Sequence, residues 1–291
     1  MSLLESILMG IIQGVTEFLP VSSSGHLAIF KALFHIEEPG MLFDVLLHIG
    51  TLVAVFIVYF KDLWRMIAEF FLMLRDFFCN VGIFFKNHFG KEKDAYIRLV
   101  SNGYRKMDLL IIVATIPTGI IGIVNSDFVE MASELLIVPG ICLIITGILL
   151  LIANHTKGGS KTPKTVTYSN AFIVGICQGI ATLPGLSRSG TTITACLVSG
   201  FNRKFAVKFS FILSIPAILG SLVFELKDID LSLITSADMV NYLAGMVVAG
   251  VVGFICIKMM LLVVREKKFT AFAIYCFIIG AISVGTYFYM A

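Results

Sequence analysis

This chain of 291 residues has the composition of a membrane protein, with 58% hydrophobic and 14% charged residues. A soluble domain has about 25% charged residues, so 22 basic and 19 acidic side chains are too few to cover a folded surface in water. This excludes a soluble globular protein, and a net charge of only +3 gives no indication of a nucleic-acid partner.

Six apolar segments are long enough to cross the hydrocarbon core of a bilayer as helices. They cover approximately residues 41–60, 107–124, 135–153, 205–226, 240–264 and 270–289. A membrane β-barrel would need segments of about ten residues with alternating polarity, and these apolar runs are long and unbroken. The sequence therefore predicts an all-α polytopic membrane protein with a single domain over residues 1–291.

Two further apolar stretches are each interrupted near the middle. Residues 2–35 are broken by Pro20 and a Ser-Ser-Ser-Gly run, and residues 169–199 by Pro184, Gly185 and a Ser-Arg-Ser-Gly run. Each half has about 15 residues, which is too short for a comfortable span. Irregular backbone at membrane depth is tolerated only where protein buries it or water reaches it. Both stretches are therefore predicted to be re-entrant helical hairpins.

The charges of the connecting loops predict the orientation in the membrane. Basic residues dominate loops 61–106, 154–168 and 265–268, whereas loops 125–134 and 227–238 are mainly acidic. Because basic loops remain in the cytoplasm, the three basic loops are predicted to lie inside. The two acidic loops and both termini are then predicted to lie outside.

The first cytoplasmic loop has an internal pattern of its own. Residues 62–79 are predicted to form an amphipathic interfacial helix, and residues 86–106 a polar loop. The Phe-rich stretch 70–89 favours an interfacial anchor over a substrate site.

An internal repeat relates the two halves of the sequence. Gln13-Gly14 recurs as Gln178-Gly179, and Ser22-x-Ser24-Gly25 recurs as Ser187-x-Ser189-Gly190, both at an offset of 165 residues. The following helix recurs as well, since residues 46–63 align with 212–229. With the predicted orientation, this is an inverted-topology repeat of about 1–154 and 169–291. Such repeats bring broken helices together around a site near the membrane midplane.

The first hairpin contains polar groups that are costly in an apolar environment. Gln13 and Glu17 are four residues apart and therefore share one face of a helix. Ser22, Ser23, Ser24 and His26 follow the proline. A carboxylate at this depth needs a partner or a polar cavity, which makes it a candidate functional group.

The second hairpin has the pattern of an anion site. Arg188 lies between Ser187 and Ser189, ahead of Gly190 and an apolar run, so it is predicted to begin a helix. Backbone N–H groups and the positive end of the helix dipole converge there. The planar guanidinium of arginine is suited to phosphate oxygens.

Together the two hairpins predict phosphoryl chemistry at a site that lipid can reach. The Glu17 carboxylate and the Gln13 amide oxygen suit a hard divalent cation such as Mg²⁺ or Ca²⁺. A serine or His26 could act as nucleophile or proton carrier, and Arg188 could hold a phosphate and stabilise the charge that develops on transfer.

Structural roles are alternatives for the same residues. Glu17 and Arg188 could form an ion pair that ties the repeats together, His26 could cap a hairpin, and the serines could cap half-helices. Gln13 and Gln178 occupy equivalent positions, which favours a shared structural role as much as metal ligation. Asp44 and His48 are predicted to support the cavity or its packing.

The motifs QGVTEFLPVSSSGH and PGLSRSGTT resemble those of the undecaprenyl-diphosphate phosphatases, the bacitracin-resistance membrane proteins of bacteria. The resemblance covers nearly the whole chain. It implies hydrolysis of undecaprenyl diphosphate at the outer face of the plasma membrane, with a divalent cation, to recycle the lipid carrier for peptidoglycan.

The resemblance also implies roles for individual residues. The family's (E/Q)-x-x-x-E motif falls on Gln13 and Glu17, its catalytic serine on Ser23, its histidine on His26 and its arginine on Arg188. Gln at position 13 is a permitted variant that removes one formal charge and weakens the case for this residue as a metal ligand. The sequence leaves open whether Ser23 or His26 is the nucleophile. The phosphates are expected to bind to Ser22, Ser24, Gly25, Ser187, Ser189, Gly190 and Thr191.

Two other functions remain as alternatives. Inverted repeats with broken helices are typical of carriers, so a transporter or flippase of a phosphorylated polyprenyl lipid is the main one. The other is a non-catalytic resistance protein that shields the lipid from an antibiotic. The expected partners are a polyprenyl diphosphate and membrane lipid, with self-association as a homodimer left open.

Overall fold

A computed structural model describes residues 1–33, 41–90, 93–133, 135, 137–225 and 235–290. These residues form twelve α-helices and no β-strand. The helices are α1 (Leu3–Phe18), α2 (Ser23–Leu33), α3 (Met41–Val58), α4 (Phe60–Phe89), α5 (Gly103–Val124), α6 (Ser126–Ser133), α7 (Ile137–His155), α8 (Tyr168–Ile180), α9 (Arg188–Val198), α10 (Arg203–Glu225), α11 (Ser236–Glu266) and α12 (Thr270–Met290). The predicted all-α class is confirmed.

Six of these helices are long and apolar enough to cross a membrane: α3, α5, α7, α10, α11 and α12. They coincide with the six predicted spans, apart from shifts at their ends. The helix predicted from 107 begins at Gly103, because the Asn102 side chain accepts hydrogen bonds from the backbone N–H groups of Tyr104 and Arg105 and so caps an earlier turn. Parts of the predicted hairpin 2–35 and of loops 125–134 and 227–238 lie outside the described residues, as does residue 291.

The two interrupted stretches form pairs of short helices with a break where the sequence predicts one. In the first pair, α1 ends at Phe18 and α2 begins at Ser23. In the second pair, α8 ends at Ile180 and α9 begins at Arg188. Each break contains a proline, which lacks the N–H group that a continuous helix needs, and a left-handed residue, Ser22 (φ 71°) or Gly185 (φ 86°).

The short helices α1 and α8 pack on long helices from the opposite half of the sequence. Helix α1 lies along α11, whereas α8 lies along α5, and α7 packs against α12. The α1–α11 and α8–α5 contacts each depend on a glycine, and these two glycines, Gly10 and Gly175, are 165 residues apart. A Cβ on Gly10 would be 2.5 Å from the carbonyl oxygen of Gly245, and a Cβ on Gly175 would be 2.1 Å from that of Ala114. Small residues of this kind let helix backbones approach closely in a membrane. This reciprocal arrangement supports the inverted repeat, which remains a prediction.

Helix α4 is longer than predicted, running through residue 89 where the sequence suggested a polar loop from residue 86. The predicted amphipathic helix 62–79 therefore lies within the first two-thirds of α4. The segment after it is held along the helix by two asparagines. The Asn80 side chain exchanges two hydrogen bonds of 2.7 Å with the backbone of Ile97, and Asn87 does the same with Asp94 at 2.9 and 2.7 Å. Seven helical residues and three extended residues both span about 10 Å, so the two clamps match in spacing.

The acidic side chains of α4 face the rest of the protein. Asp62 pairs with Lys208 of α10 at 2.6 Å. Arg105 of α5 binds Glu69 at 2.8 Å and Asp76 at 2.7 Å. The hydrogen bond from Arg105 lowers the pKa of Glu69, and those from Arg75 and Arg105 lower the pKa of Asp76. Both carboxylates therefore remain charged at neutral pH, and α4 is fixed to the start of α5.

We predict that Gly175→Ala destabilises the protein, because the new Cβ would overlap a backbone oxygen of α5 that cannot move away independently. Overpacking of this kind costs about 1–3 kcal/mol, which thermal unfolding in detergent would measure as a lower Tm. The matched control is Gly119→Ala on α5, where a Cβ would meet nothing within 4 Å and alanine favours the helix. Equal melting temperatures for the two variants would show that the α5–α8 contact tolerates a larger residue.

Candidate active site

The breaks of the two helix pairs meet and form one buried polar site. The backbone N–H of Gly185 donates to the Ser24 hydroxyl at 3.5 Å, and the Ser189 hydroxyl donates to the carbonyl of Leu19 at 3.4 Å. A Cβ on Gly25 would be 3.1 Å from the Cα of Gly185, so glycine at this position allows the two breaks to lie in contact. Residues predicted as site residues from both hairpins are thereby brought together.

The centre of the site is an ion pair between residues 171 positions apart. Arg188 Nη2 donates to Glu17 Oε1 at 2.5 Å, and the two side chains are 16% and 5% exposed. Glu17 is the fifteenth residue of α1, and Arg188 is the first residue of α9, as predicted. The pair joins the carboxylate of one break to the helix N-terminus of the other.

The second oxygen of Glu17 accepts hydrogen bonds from the first hairpin. Ser23 Oγ donates to Glu17 Oε2 at 2.7 Å, and Gln13 Nε2 donates to the same oxygen at 3.3 Å. Gln13 and Glu17 lie on one face of α1, as their spacing predicted. A serine hydroxyl that donates to a buried carboxylate is arranged to lose its proton to that carboxylate.

His26 has both ring nitrogens occupied away from Ser23. Its Nδ1 is 2.7 Å from the carbonyl oxygen of Ser22, and its Nε2 is 2.7 Å from the Tyr275 hydroxyl. A carbonyl oxygen only accepts, so Nδ1 carries a proton, and in the neutral imidazole Nε2 accepts from Tyr275. The two rings also stack, with centroids 5.5 Å apart. This arrangement fits a neutral imidazole that fixes the turn.

The serines on either side of Ser23 and of Arg188 form two matching caps. Ser22 Oγ accepts from the N–H of Gly25 at 3.4 Å, and Ser187 Oγ accepts from the N–H of Gly190 at 3.1 Å. In each cap the first serine also contacts the second, Ser24 or Ser189, at 3.3 Å between hydroxyl oxygens. Capping by Ser22 and Ser187, which the sequence offered as an alternative to substrate binding, is therefore observed.

Three buried polar atoms around the ion pair have no hydrogen-bond partner within the described residues. They are Gln13 Oε1, Arg188 Nη1 and Thr191 Oγ1. Buried polar atoms are nearly always satisfied in folded proteins, so these three indicate a place for a polar ligand. One acceptor, one charged donor and one hydroxyl suit a hydrated phosphate.

Asp44 and His48 lie beside the site. Asp44 forms an ion pair with Lys31 of α2 at 2.7 Å, and His48 Nδ1 bonds to the Asp44 carbonyl at 2.9 Å. His48 also interacts electrostatically with Glu17. The Lys31–Asp44 pair connects α2 to α3, and the supporting role of the two residues stays a prediction.

Sequence reasoning missed two contributors from α12. Tyr275 binds His26, and the Cys276 thiol lies 3.7 Å from the carbonyl oxygen of Pro20. Both residues are part of an apolar span, and nothing in their spacing relates them to a hairpin 249 positions away. A hydroxyl inside an apolar helix was the only available signal.

The predicted metal ligands, Glu17 and Gln13, can offer carboxylate oxygen from one side chain and amide oxygen from the other. No group of three or more His, Cys, Asp or Glu within the described ranges is arranged to hold a metal ion. The unpartnered Gln13 Oε1 belongs to the amide whose Nε2 contacts the Glu17 carboxylate. Carbonyl and carboxylate oxygens are the donors that Mg²⁺ and Ca²⁺ prefer, and Mg²⁺ usually retains several waters. The residues present therefore fit a partly hydrated hard cation.

Comparison with known proteins identifies the family. The family model described as "Bacitracin resistance protein BacA" matches residues 6–282. The chain belongs to the BacA family.

Curated relatives cover almost the full chain. A protein of Alkaliphilus metalliredigens named undecaprenyl-diphosphatase is 41% identical over 285 residues, 98% of both chains. A protein of Methanosphaera stadtmanae with the same name is 40% identical over 285 residues, also 98% of both chains. Undecaprenyl-diphosphatase 4 of Bacillus thuringiensis is 36% identical over 284 residues, 98% of this chain and 97% of its own. Relatives with this name therefore resemble the chain over almost its whole length.

Proposed function

We propose that this membrane protein hydrolyses undecaprenyl diphosphate to undecaprenyl phosphate and inorganic phosphate, recycling the lipid carrier for cell-wall synthesis. The observation that carries the proposal is the contact of Ser23 and Arg188 with the same buried carboxylate, Glu17. The proposed nucleophile Ser23, the base Glu17 and the phosphate-binding guanidinium of Arg188 are thus assembled in one place. The names of the curated relatives support this substrate, and no contact in the site favours a transporter over a phosphatase.

Ser23 is the nucleophile that the hydrogen bonds favour. Its Oγ–H donates to Glu17, so the proton moves to the carboxylate as Oγ attacks the terminal phosphorus. The new Oγ–P bond forms while the bridging P–O bond breaks, and undecaprenyl phosphate leaves. Water then attacks the phosphoserine and the Oγ–P bond breaks. Ser23 takes back the proton held by Glu17, and inorganic phosphate departs with both protons of the water. The imidazole of His26 contacts Ser22 and Tyr275 instead, which supports a positioning role.

Arg188 provides the positive charge that this reaction needs. Its Nη2 binds Glu17, while its buried Nη1 has no partner among the described residues and is available for a phosphate oxygen. Arginine stays charged at all relevant pH values and presents a rigid fork of donors. The adjoining N-terminus of α9 adds the positive end of a helix dipole.

We predict that the purified Ser23→Ala variant releases no phosphate, whereas the Ser24→Ala variant retains more of this activity. Ser23 donates to the proposed base, whereas the hydrogen bonds of the Ser24 hydroxyl within the described residues are to Ser22 and the backbone of Gly185. Loss of a nucleophile typically lowers kcat by several orders of magnitude. A rapid quench in neutral denaturant, which preserves both phosphoserine and the acid-labile phosphohistidine, followed by mass spectrometry, should locate phosphate on Ser23. Phosphate trapped on His26, with an active Ser23→Ala variant, would reverse the assignment.

A divalent cation is the second part of the proposal. Glu17 and the free Gln13 Oε1 would hold Mg²⁺ or Ca²⁺, and the ion would neutralise charge on the phosphate oxygens. Arg188, Ser23 and Glu17 would still position the phosphate and move the proton.

Replacements of Gln13 test this ligand. Gln13→Glu should lower the cation concentration needed for half-maximal phosphate release, since a carboxylate binds hard cations more strongly than an amide. Gln13→Ala should raise it, because an oxygen donor is lost. Melting temperatures of both variants control for folding. An unchanged cation requirement in both variants would remove Gln13 from the metal site.

The third part of the proposal concerns orientation. The loop charges support a site that opens to the outer face, with both termini outside and two re-entrant hairpins that enter from opposite sides. Helix α4 would then lie at the cytoplasmic face of the plasma membrane. The reciprocal contacts of α1 with α11 and of α8 with α5 are in keeping with this arrangement.

A native cysteine allows a test of this orientation on the unaltered chain. Cys79 of α4 is exposed, whereas the other cysteines are buried or half-buried. A membrane-impermeant maleimide should therefore spare Cys79 in intact cells and modify it in inverted membrane vesicles. Cys79→Ser is the control for reaction at other thiols. Labelling of Cys79 in intact cells would contradict the proposed orientation.

A further inference from the structure

The outward side of α4 carries an apolar stripe along its whole length. Phe60, Trp64, Ile67, Phe71, Phe78 and Phe85 recur at intervals of three, four or seven residues, which places them on one side of a helix. Their side chains are between 49% and 66% exposed within the described protein. Large aromatic and aliphatic groups are seldom left in water over such a length.

The charges of α4 are separated by sign around the helix. Its acidic residues face inward, where they pair with Lys208 and Arg105. Its four lysines and arginines are exposed: Lys61, Arg65, Arg75 and Lys86. At 3.6 residues per turn, these four side chains fall within about 80° of arc next to the apolar stripe.

Two of these basic residues, Lys61 and Arg65, are free to bind an external anion. Arg75 pairs with Asp76, and Lys86 pairs with Asp94. Lys61 and Arg65 form no ion pair in the part of the chain that the structure describes, although the Arg65 guanidinium lies 5.8 Å from the Tyr104 ring centroid. An apolar stripe bordered by unpaired cations is the pattern of a helix that lies in a membrane interface.

The position of α4 along α5 indicates that it lies at the depth of the lipid. A shallow apolar cavity of about 240 Å³ is lined by Phe70, Met73 and Phe77 of α4 together with Leu109 of α5. Leu109 is in the second turn of a candidate membrane span. Only Tyr59 separates α4 from α3, another candidate span. The helix therefore runs beside the first turns of α5 and does not project away from the membrane.

We propose that the outward face of α4 binds an anionic lipid bilayer. The apolar stripe enters the acyl chains of the leaflet, and the basic edge at Lys61 and Arg65 binds the headgroups of acidic phospholipids. Acidic lipid is favoured over zwitterionic lipid because each basic residue near the surface attracts it. This binding surface is separate from the Glu17 site, so it does not depend on the proposed phosphatase activity.

Trp64 is the single tryptophan of the sequence and is a built-in probe of this surface. The full-length protein would be reconstituted in phosphatidylcholine vesicles with and without phosphatidylglycerol. Quenching of Trp64 fluorescence would be compared between acyl-brominated lipid and aqueous iodide. A matched probe, Trp64→Phe with Cys79→Trp, reports the exposed basic edge of the same helix.

Brominated lipid should quench most of the Trp64 emission and iodide little, whereas the probe at position 79 should be more accessible to iodide. At equal mole fraction, brominated phosphatidylglycerol should quench Trp64 roughly two- to fivefold more effectively than brominated phosphatidylcholine. Lys61→Gln with Arg65→Gln should remove this preference and retain quenching by lipid.

Three results would overturn the proposal. Strong iodide quenching without lipid quenching would place the stripe in water. Protection from both quenchers that disappears when the protein is diluted with lipid would show that a second copy covers the stripe, as its seven-residue spacing would permit. Equal quenching by the two brominated lipids would exclude selectivity for anionic headgroups.

Discussion

The ion pair between Glu17 and Arg188 is the contact on which the site depends. Removing two charges from water is expensive, and loss of one partner leaves the other charge buried without compensation. The same Glu17 carboxylate orients Ser23 and Gln13. The breaks of both helix pairs are therefore fixed relative to each other by the groups that would carry out the reaction, and the structural and chemical roles of the pair are not alternatives.

The two halves share a backbone pattern but contribute different chemistry. At the offset of 165 residues, Ser23 corresponds to Arg188 and Glu17 to Thr182. The caps formed by Ser22 and Ser187 have the same hydrogen bonds. Similar turns thus place Ser23 and Glu17 on one side and the Arg188 guanidinium on the other, so that two breaks with matching caps surround a site whose central side chains do not match.

Features of this structure were predictable from the sequence where their signals are local, and were missed where they depend on contacts between residues distant in the chain. Hydropathy and helix breakers act locally, and they correctly predicted the six spans and the interruptions at Pro20 and Pro184. The ion pair of Glu17 with Arg188 was among the alternatives that the sequence offered, because both hairpins contain unusual polar residues. Tyr275 could not, since its contact with His26 depends on how α12 packs. The extension of α4 to Phe89 was also missed, because the clamps by Asn80 and Asn87 involve backbone groups that any sequence would have.

The contribution of α12 has a consequence for biosynthesis. Tyr275 and Cys276 contact the first hairpin from the last of the twelve described helices. During translation, the groups around Ser23 would emerge and enter the membrane long before the residues that hold His26 and Pro20 in place. The nascent chain would therefore lack a completed site until α12 has been inserted, and a chain truncated before Tyr275 would leave His26 without its tyrosine.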